Sequence, residues 1–268
     1  MLALRYLLKG PYEALKSPAA RQLLRLMWHY GNRPRYQTTT VTFGKYRLQV
    51  PDSFSFIWQF QEIFGDEFYR FNCDNSQPVI YDCGANIGMS VLYLKELYPQ
   101  ARIKAFEAEP KIAELLAKNL QQNNITDVEI VAKAVWIDEA GVAFGSEAAD
   151  SSSIYSNAAK RLVPSLRLRD HLAQETRIDF LKIDIEGAEI AVVPDCRDVL
   201  HKVQHLFIEF HAYLNEPQSF KAIVEVLEEN NFRYYIVTNQ HRTTPFVNRR
   251  YRGNEVMDLQ LNIFAWRP

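Results

Sequence analysis

The chain is short of cysteine, of net charge and of long apolar runs, and each shortage removes a class of protein. Its three cysteines, Cys73, Cys83 and Cys196, are odd in number and stand in no metal-ligand spacing. They read as small buried hydrophobes in a reducing compartment, with no disulfide framework and no cysteine-built zinc site. With 31 basic against 32 acidic residues the formal charge is -1, so bulk electrostatics gives no reason to expect nucleic acid as a partner. Hydrophobic residues make up 47% of the chain, which argues against a disordered polymer. The stretch MLALRYLLKGPYEAL is cut by Lys9, Gly10 and Pro11. Neither a cleaved signal nor a spanning helix is therefore read there, and a cytoplasmic location is expected. Arg21, Arg25 and Arg33 lie among leucines just beyond, which leaves two readings open: a helix packed on its own domain, or one in peripheral contact with a membrane surface. Internal repeats are absent, and EAADSSSIYSN reads as a loop.

What is present is alternation. From Val79 onward strand-like and helix-like runs follow each other, the pattern of an α/β fold with a mostly parallel sheet and helices on both faces. VIYDCG precedes a helix over Met89 to Leu97, with Val91, Leu94 and Leu97 on one side. RIKAFEAEP precedes a helix in which Ile112, Leu115, Leu116 and Leu120 recur at helical spacing. VEIVAKAVW supplies a third strand and IDFLKIDIEG a fourth, apolar enough to be buried on both faces. A helix over Ala188 to Leu200 is predicted next. HLFIEFH then gives a fifth strand, and Phe220, Ile223, Val224 and Leu227 mark the inward stripe of the following helix. RYYIVT and LQLNIFAWR have no helix between them, which predicts an antiparallel C-terminal hairpin at one edge. Residues 1–78 differ: TTVTFGKYRLQV reads as a hairpin around Gly44 and Lys45, and FIWQFQEIFGDEFYRF as an aromatic helix. This N-terminal helical and β-hairpin segment reads as a cap or lid on a domain spanning residues 79–268.

The turn after the first strand carries the chemistry. VIYDCGANIGMSVLYL places Asp82 at a strand end, then Gly84 and Gly88. Glycine there lets backbone approach a ligand with no side chain in the way. A dinucleotide fingerprint requires G-x-G-x-x-G, but Asn86 and Met89 occupy the later glycine positions, which counts against a nicotinamide cofactor. The pattern is instead D-x-G-x-x-x-G, with Glu107 closing the second strand. A carboxylate at that point can accept hydrogen bonds from both hydroxyls of a ribose. A free ribose diol without pyrophosphate describes S-adenosylmethionine.

DCGANIGMS, AFEAEP and IDFLKIDIEGAE, in this order, resemble the FkbM family of class I methyltransferases over roughly Val79 to Arg267. LKIDIEGAE is the most specific piece, and Ala108 departs from the proline usual after the ribose-binding acid. The resemblance implies a Rossmann-like fold with a seven-stranded sheet, and an S-adenosylmethionine-dependent O-methyltransferase acting on hydroxyls of sugars or polyketide-type molecules. It also implies that Asp82, Gly84, Asn86 and Gly88 line the methionine end of the cofactor, that Glu107 holds the ribose, and that Ala134, Val135 and Trp136 border the adenine.

An alcohol is a poor nucleophile until its proton is removed or its oxygen is bound to a metal. Acids or cations are therefore expected at the carboxyl ends of the strands. After the fourth strand come Asp184, Glu186 and Glu189; on the fifth, Glu209 and His211 stand two apart and share a face. His211 is the candidate general base. A divalent metal held by Asp184, Glu209 and His211 is chemically reasonable and undetermined. His29, His171, His201, His205 and His241 stand alone and read as surface or packing residues. Glu67 and Tyr69 of the aromatic lid are candidates to reach the site, against a plain core role for Phe56, Ile57, Phe60 and Phe64. Arg249, Arg250 and Arg252 either meet an anionic substrate or form a solvated turn. The expected reaction is thus O-methylation of a small-molecule or glycan hydroxyl, a sugar or glycoconjugate first. Rivals are methylation of a polyketide, peptide or nitrogen acceptor on the same fold, and a non-catalytic cofactor-binding module.

Overall fold

The computed structural model describes residues 17–145, 160–214, 216–238, 242–249 and 257–268. The serine-rich loop, Arg250, Arg252, His241 and the N-terminal fifteen-residue stretch lie outside the described residues. The chain opens with α1 (Pro18–Tyr30), the hairpin β1 (Thr39–Phe43) and β2 (Tyr46–Val50), and α2 (Ser53–Phe60). Gly44 takes a φ of 51° in the two-residue turn, which sets Phe43 opposite Tyr46. The aromatic helix is shorter than its sequence suggests. It passes into a π-helical turn at Gln61–Gly65, where Asp66 N–H reaches back to Gln61 O at 2.7 Å, and Glu67 then adopts a φ of 53° that no helix accommodates. Tyr69 and Phe71 therefore leave the helix axis and enter the core.

The central sheet has seven strands in the order β12-β13-β11-β10-β3-β4-β5. β3 (Val79–Cys83), β4 (Arg102–Phe106), β5 (Val128–Val131), β10 (Ile178–Ile183) and β11 (Val203–Tyr213) are parallel. β12 (Arg233–Thr238) and β13 (Met257–Trp266) form the predicted antiparallel hairpin, with β13 inserted between β11 and β12. Strand order runs outward from β3 in one direction and from β10 in the other, so the crevice between their carboxyl ends is the switch point where open α/β sheets bind ligands.

Both faces are covered. Ile80, Ile103, Phe180 and Phe207 pack under α3 (Met89–Leu97), α4 (Pro110–Gln122) and the N-terminal hairpin. Tyr81, Leu181, Ile183 and Ile208 pack under α5 (Leu168–Gln174), α6 (Glu189–Asp195) and α7 (Phe220–Glu229). Alternate residues of one strand thus serve opposite layers. In α7 the buried face is Ile223, Val226 and Leu227, so Val226 replaces Val224 in the predicted stripe. Two further expectations are corrected. VEIVAKAVW is not one strand: Lys133 N–H bonds Val131 O and turns the chain. Beyond that turn β6 (Ala134–Trp136) pairs with β9 (Ser165–Arg167) in a separate two-stranded sheet. A third small sheet joins β7 (Val142–Gly145) to β8 (Lys160–Val163). The helix predicted to Leu200 stops at Asp195, one residue past Pro194, and a 3-10 turn at Leu200–Lys202 leads into β11.

Candidate active site

At the switch point a cleft of about 260 Å³ opens between the ends of β3, β4, β6 and β10. Its first wall is the glycine turn. Gly84 and Ala85 N–H both donate to Phe106 O, at 3.0 and 2.9 Å, which ties the turn to the end of β4. Gly84 has a φ of 85°, and a Cβ there would stand 1.8 Å from Asp184 O, so only glycine lets the β3 and β10 turns meet. Asn86 also lines the cleft, at a φ of 47°. Gly88 does not line it. A Cβ on Gly88 would meet Leu116 at 2.6 Å, so this glycine serves the packing of α3 on α4 rather than a ligand.

The second wall is Glu107, whose Oε2 accepts Asn86 N–H and Oε1 accepts Glu109 N–H, both at 2.9 Å. Burial raises its pKa to about 7, against the pull of those two backbone donors. Two N–H groups leave part of the carboxylate's accepting capacity free. Ala134, Val135 and Trp136 continue this wall with apolar surface.

Lys182 forms the floor, and sequence reasoning missed it. It is a cation inside the wholly buried strand β10, 3.3 Å from Asp82 and 3.1 Å from Asp184, and it donates to Gly84 O at 2.8 Å. Burial presses its pKa down, but Asp184 and Asp82 outweigh burial and hold it well above the ordinary lysine value. Asp82 is consequently not a cleft residue: it is fully buried beneath the turn, taken up by Lys182 and by the Ser90 hydroxyl. A lysine in a strand buried at every position was the available signal, since a buried ammonium requires a partner.

The opposite side is acidic. Asp184, Glu186, Glu209 and Glu62 all line the cleft, with Tyr69, Gln59 and Ile63 from the N-terminal segment. Glu62 was also missed; burial, with Asp184 and Asp66 nearby, raises its pKa to about 7. Glu67 turns away to Arg70 and the Tyr93 hydroxyl. Burial and the neighbouring acids, Asp184 foremost, push Glu209 well above the usual carboxylate range, and it pairs with Gln260.

His211 is 2% exposed and lies behind this wall rather than on it. Its Nδ1 is 3.3 Å from Glu189 and its Nε2 is 3.7 Å from Glu186. Burial lowers its pKa, yet Glu186 and Glu189 outweigh this and keep it well above the ordinary imidazole value. His211 is not among the residues that line the cleft, so the general-base role expected of it is not one that its position favours. Glu189 is no site carboxylate either: it is fully buried and accepts Ile185 and Gly187 N–H at 2.9 and 3.0 Å. The group able to hold a metal is Asp184, Glu186 and His211, whose ligand atoms lie within 4.8 Å of one another. Glu186 replaces Glu209 in the expected trio. It sits in a turn at a φ of 56° that curls over His211, whereas Glu209 is two residues away along β11 and engaged elsewhere.

The residues present fit S-adenosylmethionine. Glu107 retains acceptor capacity for a ribose diol, Asn86 Oδ1 beside it is buried with no partner among the described residues, and apolar β6 offers a surface for a purine. Residues 82–234 match the Methyltransferase FkbM domain. The chain is 32% identical over 211 residues to methyltransferase sdnD of Sordaria araneosa, covering 64% of this chain and 79% of that one. It is 28% identical over 159 residues to methyltransferase 1 of Beauveria bassiana strain ARSEF 2860, covering 50% of this chain and 64% of the relative. Among solved structures, a methyltransferase FkbM from Methylobacillus flagellatus KT aligns with a TM-score of 0.44 at 18% identity, over 72% of this chain and 44% of that one. TYW2 of M. jannaschii in complex with AdoMet aligns at 0.47 and 12% identity, over 88% and 89%. The matched domain takes in more than half of the sequence, and the chain belongs to the FkbM family of S-adenosylmethionine-dependent methyltransferases.

Proposed function

We propose that the enzyme methylates a hydroxyl of a carbohydrate or glycoconjugate. The observation that carries this reading is the acidic wall: Glu62, Asp184, Glu186 and Glu209 face one cleft. A polyhydroxylated acceptor presents several hydroxyls within a few ångström; carboxylates accept from them, and Glu62 and Glu209, whose hold on a proton burial strengthens, can donate as well as accept. The bound cofactor supplies an electrophilic methyl group on a sulfonium. Glu107, with Asn86 beside it, would hold the ribose, and the glycine turn would leave room for the remainder. Asp184 and Glu186 orient the acceptor, whose oxygen loses its proton as it gains the methyl. Glu62, with its pKa raised to about 7, is placed to receive that proton near neutral pH.

The test is transfer of labelled methyl from S-adenosylmethionine to a panel of sugars, nucleotide-sugars, glycolipids, hydroxylated polyketides and amines. Methylation confined to carbohydrate hydroxyls supports the reading. Turnover only on amines, or on no carbohydrate, overturns it. For the base, Glu62→Gln should lower kcat on the order of a hundredfold to ten-thousandfold while leaving cofactor affinity nearly unchanged.

A further inference from the structure

We propose that Asp184, Glu186 and His211 bind one divalent cation of the Mg²⁺ or Mn²⁺ type at the edge of the cleft, where it would grip the acceptor oxygen. This deepens the hydroxyl-methylation reading and rests on it for the identity of the bound oxygen, though not for the site itself. The three ligand atoms lie within 4.8 Å of one another. Neighbouring ligands on an octahedral ion with bonds of about 2.1 Å stand roughly 3 Å apart, so modest side-chain rotations close the set.

The independent observation is the way His211 is held. It is 2% exposed, and its Nδ1 is fixed by Glu189, a fully buried carboxylate itself anchored by two backbone N–H groups. A carboxylate behind an imidazole is the arrangement that orients metal-bound histidine. The result here is an Nε2 held facing Glu186 at 3.7 Å. Charge points the same way. Asp184, Glu186 and Glu189 face the spot, with Lys182 paired to Asp184, and an ion bound there takes the place of a proton on His211 Nε2 as the positive charge between the carboxylates. Lys182 engages Asp184 Oδ2 at 3.1 Å, which leaves the other oxygen for an ion. Since Asp184 and Glu186 line the cleft, an ion there keeps coordination positions open toward the acceptor. Two carboxylates and an imidazole, with no thiolate, select a hard or borderline ion.

The experiment titrates MnCl₂ into chelator-stripped full-length protein, reading free Mn²⁺ by electron paramagnetic resonance. One equivalent should bind. Glu186→Gln and Asp184→Asn should each weaken binding at least tenfold with an unchanged circular dichroism spectrum, and Glu189→Gln by about ten- to a hundredfold through loss of the orienting carboxylate. No binding at millimolar Mn²⁺, or equal binding in all three variants, overturns the site. Full methylation of a hydroxyl acceptor in chelator, with no Mn²⁺ bound, removes the metal and leaves the O-methylation reading standing. One Mn²⁺ bound with amines as the sole acceptors does the reverse.

A different surface carries a second inference. From Ala14 to Pro51 the sequence holds no aspartate or glutamate, but has Lys16, Arg21, Arg25, Arg33, Arg35, Lys45 and Arg47. On α1, Leu24 and Met27 are 51% exposed and Trp28 is 86% exposed, beside exposed Arg21 and Arg25. On the adjoining segment Tyr36, Phe54 and Trp58 are also exposed, with the Arg35 guanidinium, paired to Asp52 at 2.6 Å, over the Tyr36 and Phe54 rings at 4.8 and 4.9 Å. Apolar and aromatic side chains set among arginines match an anionic bilayer surface, where rings sit at headgroup depth and guanidinium groups meet phosphate. We infer that α1 and its neighbours dock on such a membrane. No helix among the described residues is long and apolar enough to cross one. Vesicles of phosphatidylcholine with about one third phosphatidylserine should co-sediment the protein, pure phosphatidylcholine much less, and 0.5 M salt should release it. Trp28→Ser with Arg25→Gln should reduce binding at least tenfold. Absence of co-sedimentation overturns the inference, as does a protein dimer in solution that the same double variant converts to monomer.

Discussion

Glu107 is the residue whose chemistry is most sharply testable. Buried, it has a pKa raised to about 7, where an exposed glutamate would be near 4.5. Ribose hydroxyls donate to the ionised carboxylate, so cofactor binding should tighten as pH rises toward 7 and level off above it. Below that pH the affinity should fall by up to about tenfold per unit, since protonation competes with the ligand. Calorimetry from pH 5.5 to 8.5 reads this directly. Glu107→Gln should weaken binding by about 1 to 3 kcal/mol and flatten the profile; a folded variant with an unchanged profile would reassign the ribose. Lys182 makes the complementary prediction. Lys182→Met leaves Asp82 buried and unneutralised and should cost about 3 to 5 kcal/mol in urea unfolding, most of it recovered by adding Asp82→Asn. If the double variant is no more stable than the single one, the Asp82–Lys182 pair is not what the lysine serves.

At the scale of elements, the two glycines of the first turn separate. Each has a positive φ, but what lies in front of each differs. At Gly84 the obstacle is the Asp184 backbone at 1.8 Å; at Gly88 it is the end of the Leu116 side chain at 2.6 Å. A side chain end can move and a strand-end carbonyl cannot without displacing β10. Gly84→Ala should therefore abolish cofactor binding and lower stability by roughly 3 kcal/mol or more, while Gly88→Ala costs about 1 to 2 kcal/mol and spares binding. Thermal unfolding with and without S-adenosylmethionine distinguishes them. The sequence treats the two alike because spacing reports that a turn needs glycine, not which neighbour crowds it. The same reason explains the divided third strand: a single backbone bond, Lys133 N–H to Val131 O, ended a run that periodicity alone would have continued.

At the scale of the whole molecule, the cleft is built from distant parts of the chain. Gln59, Glu62, Ile63 and Tyr69 precede the first sheet strand, and Glu209 follows them by well over a hundred residues, yet they line one cavity. A ligand that touches both should stabilise the assembly as a unit. At a concentration a hundred times its Kd, S-adenosylmethionine should add about 2.7 kcal/mol and raise Tm by roughly 5 to 10 °C in a single cooperative transition. A two-step melt in which only the later transition moves would show that residues before Val79 stand energetically apart from the cofactor domain.

The order of strands and helices, the parallel sheet with its closing hairpin, and the glycine turn with an acid one strand later were legible because each rests on local pattern: period two, period 3.6, and the residues that a turn requires. Placement of Gly84, Asn86, Glu107, Asp184 and Glu186 at strand ends followed from the same patterns, since an α/β sheet brings its carboxyl ends to one edge. Which way a side chain finally faces was decided by tertiary structure. Asp82 was drawn under the floor by Lys182, His211 was pulled behind the wall by Glu189, and Glu62 was carried into the cleft by a π-helical turn. The first two depend on a charge distant in sequence, whose burial energy is settled only when its partner is in place, and the third on one widened helical turn that regular periodicity does not report.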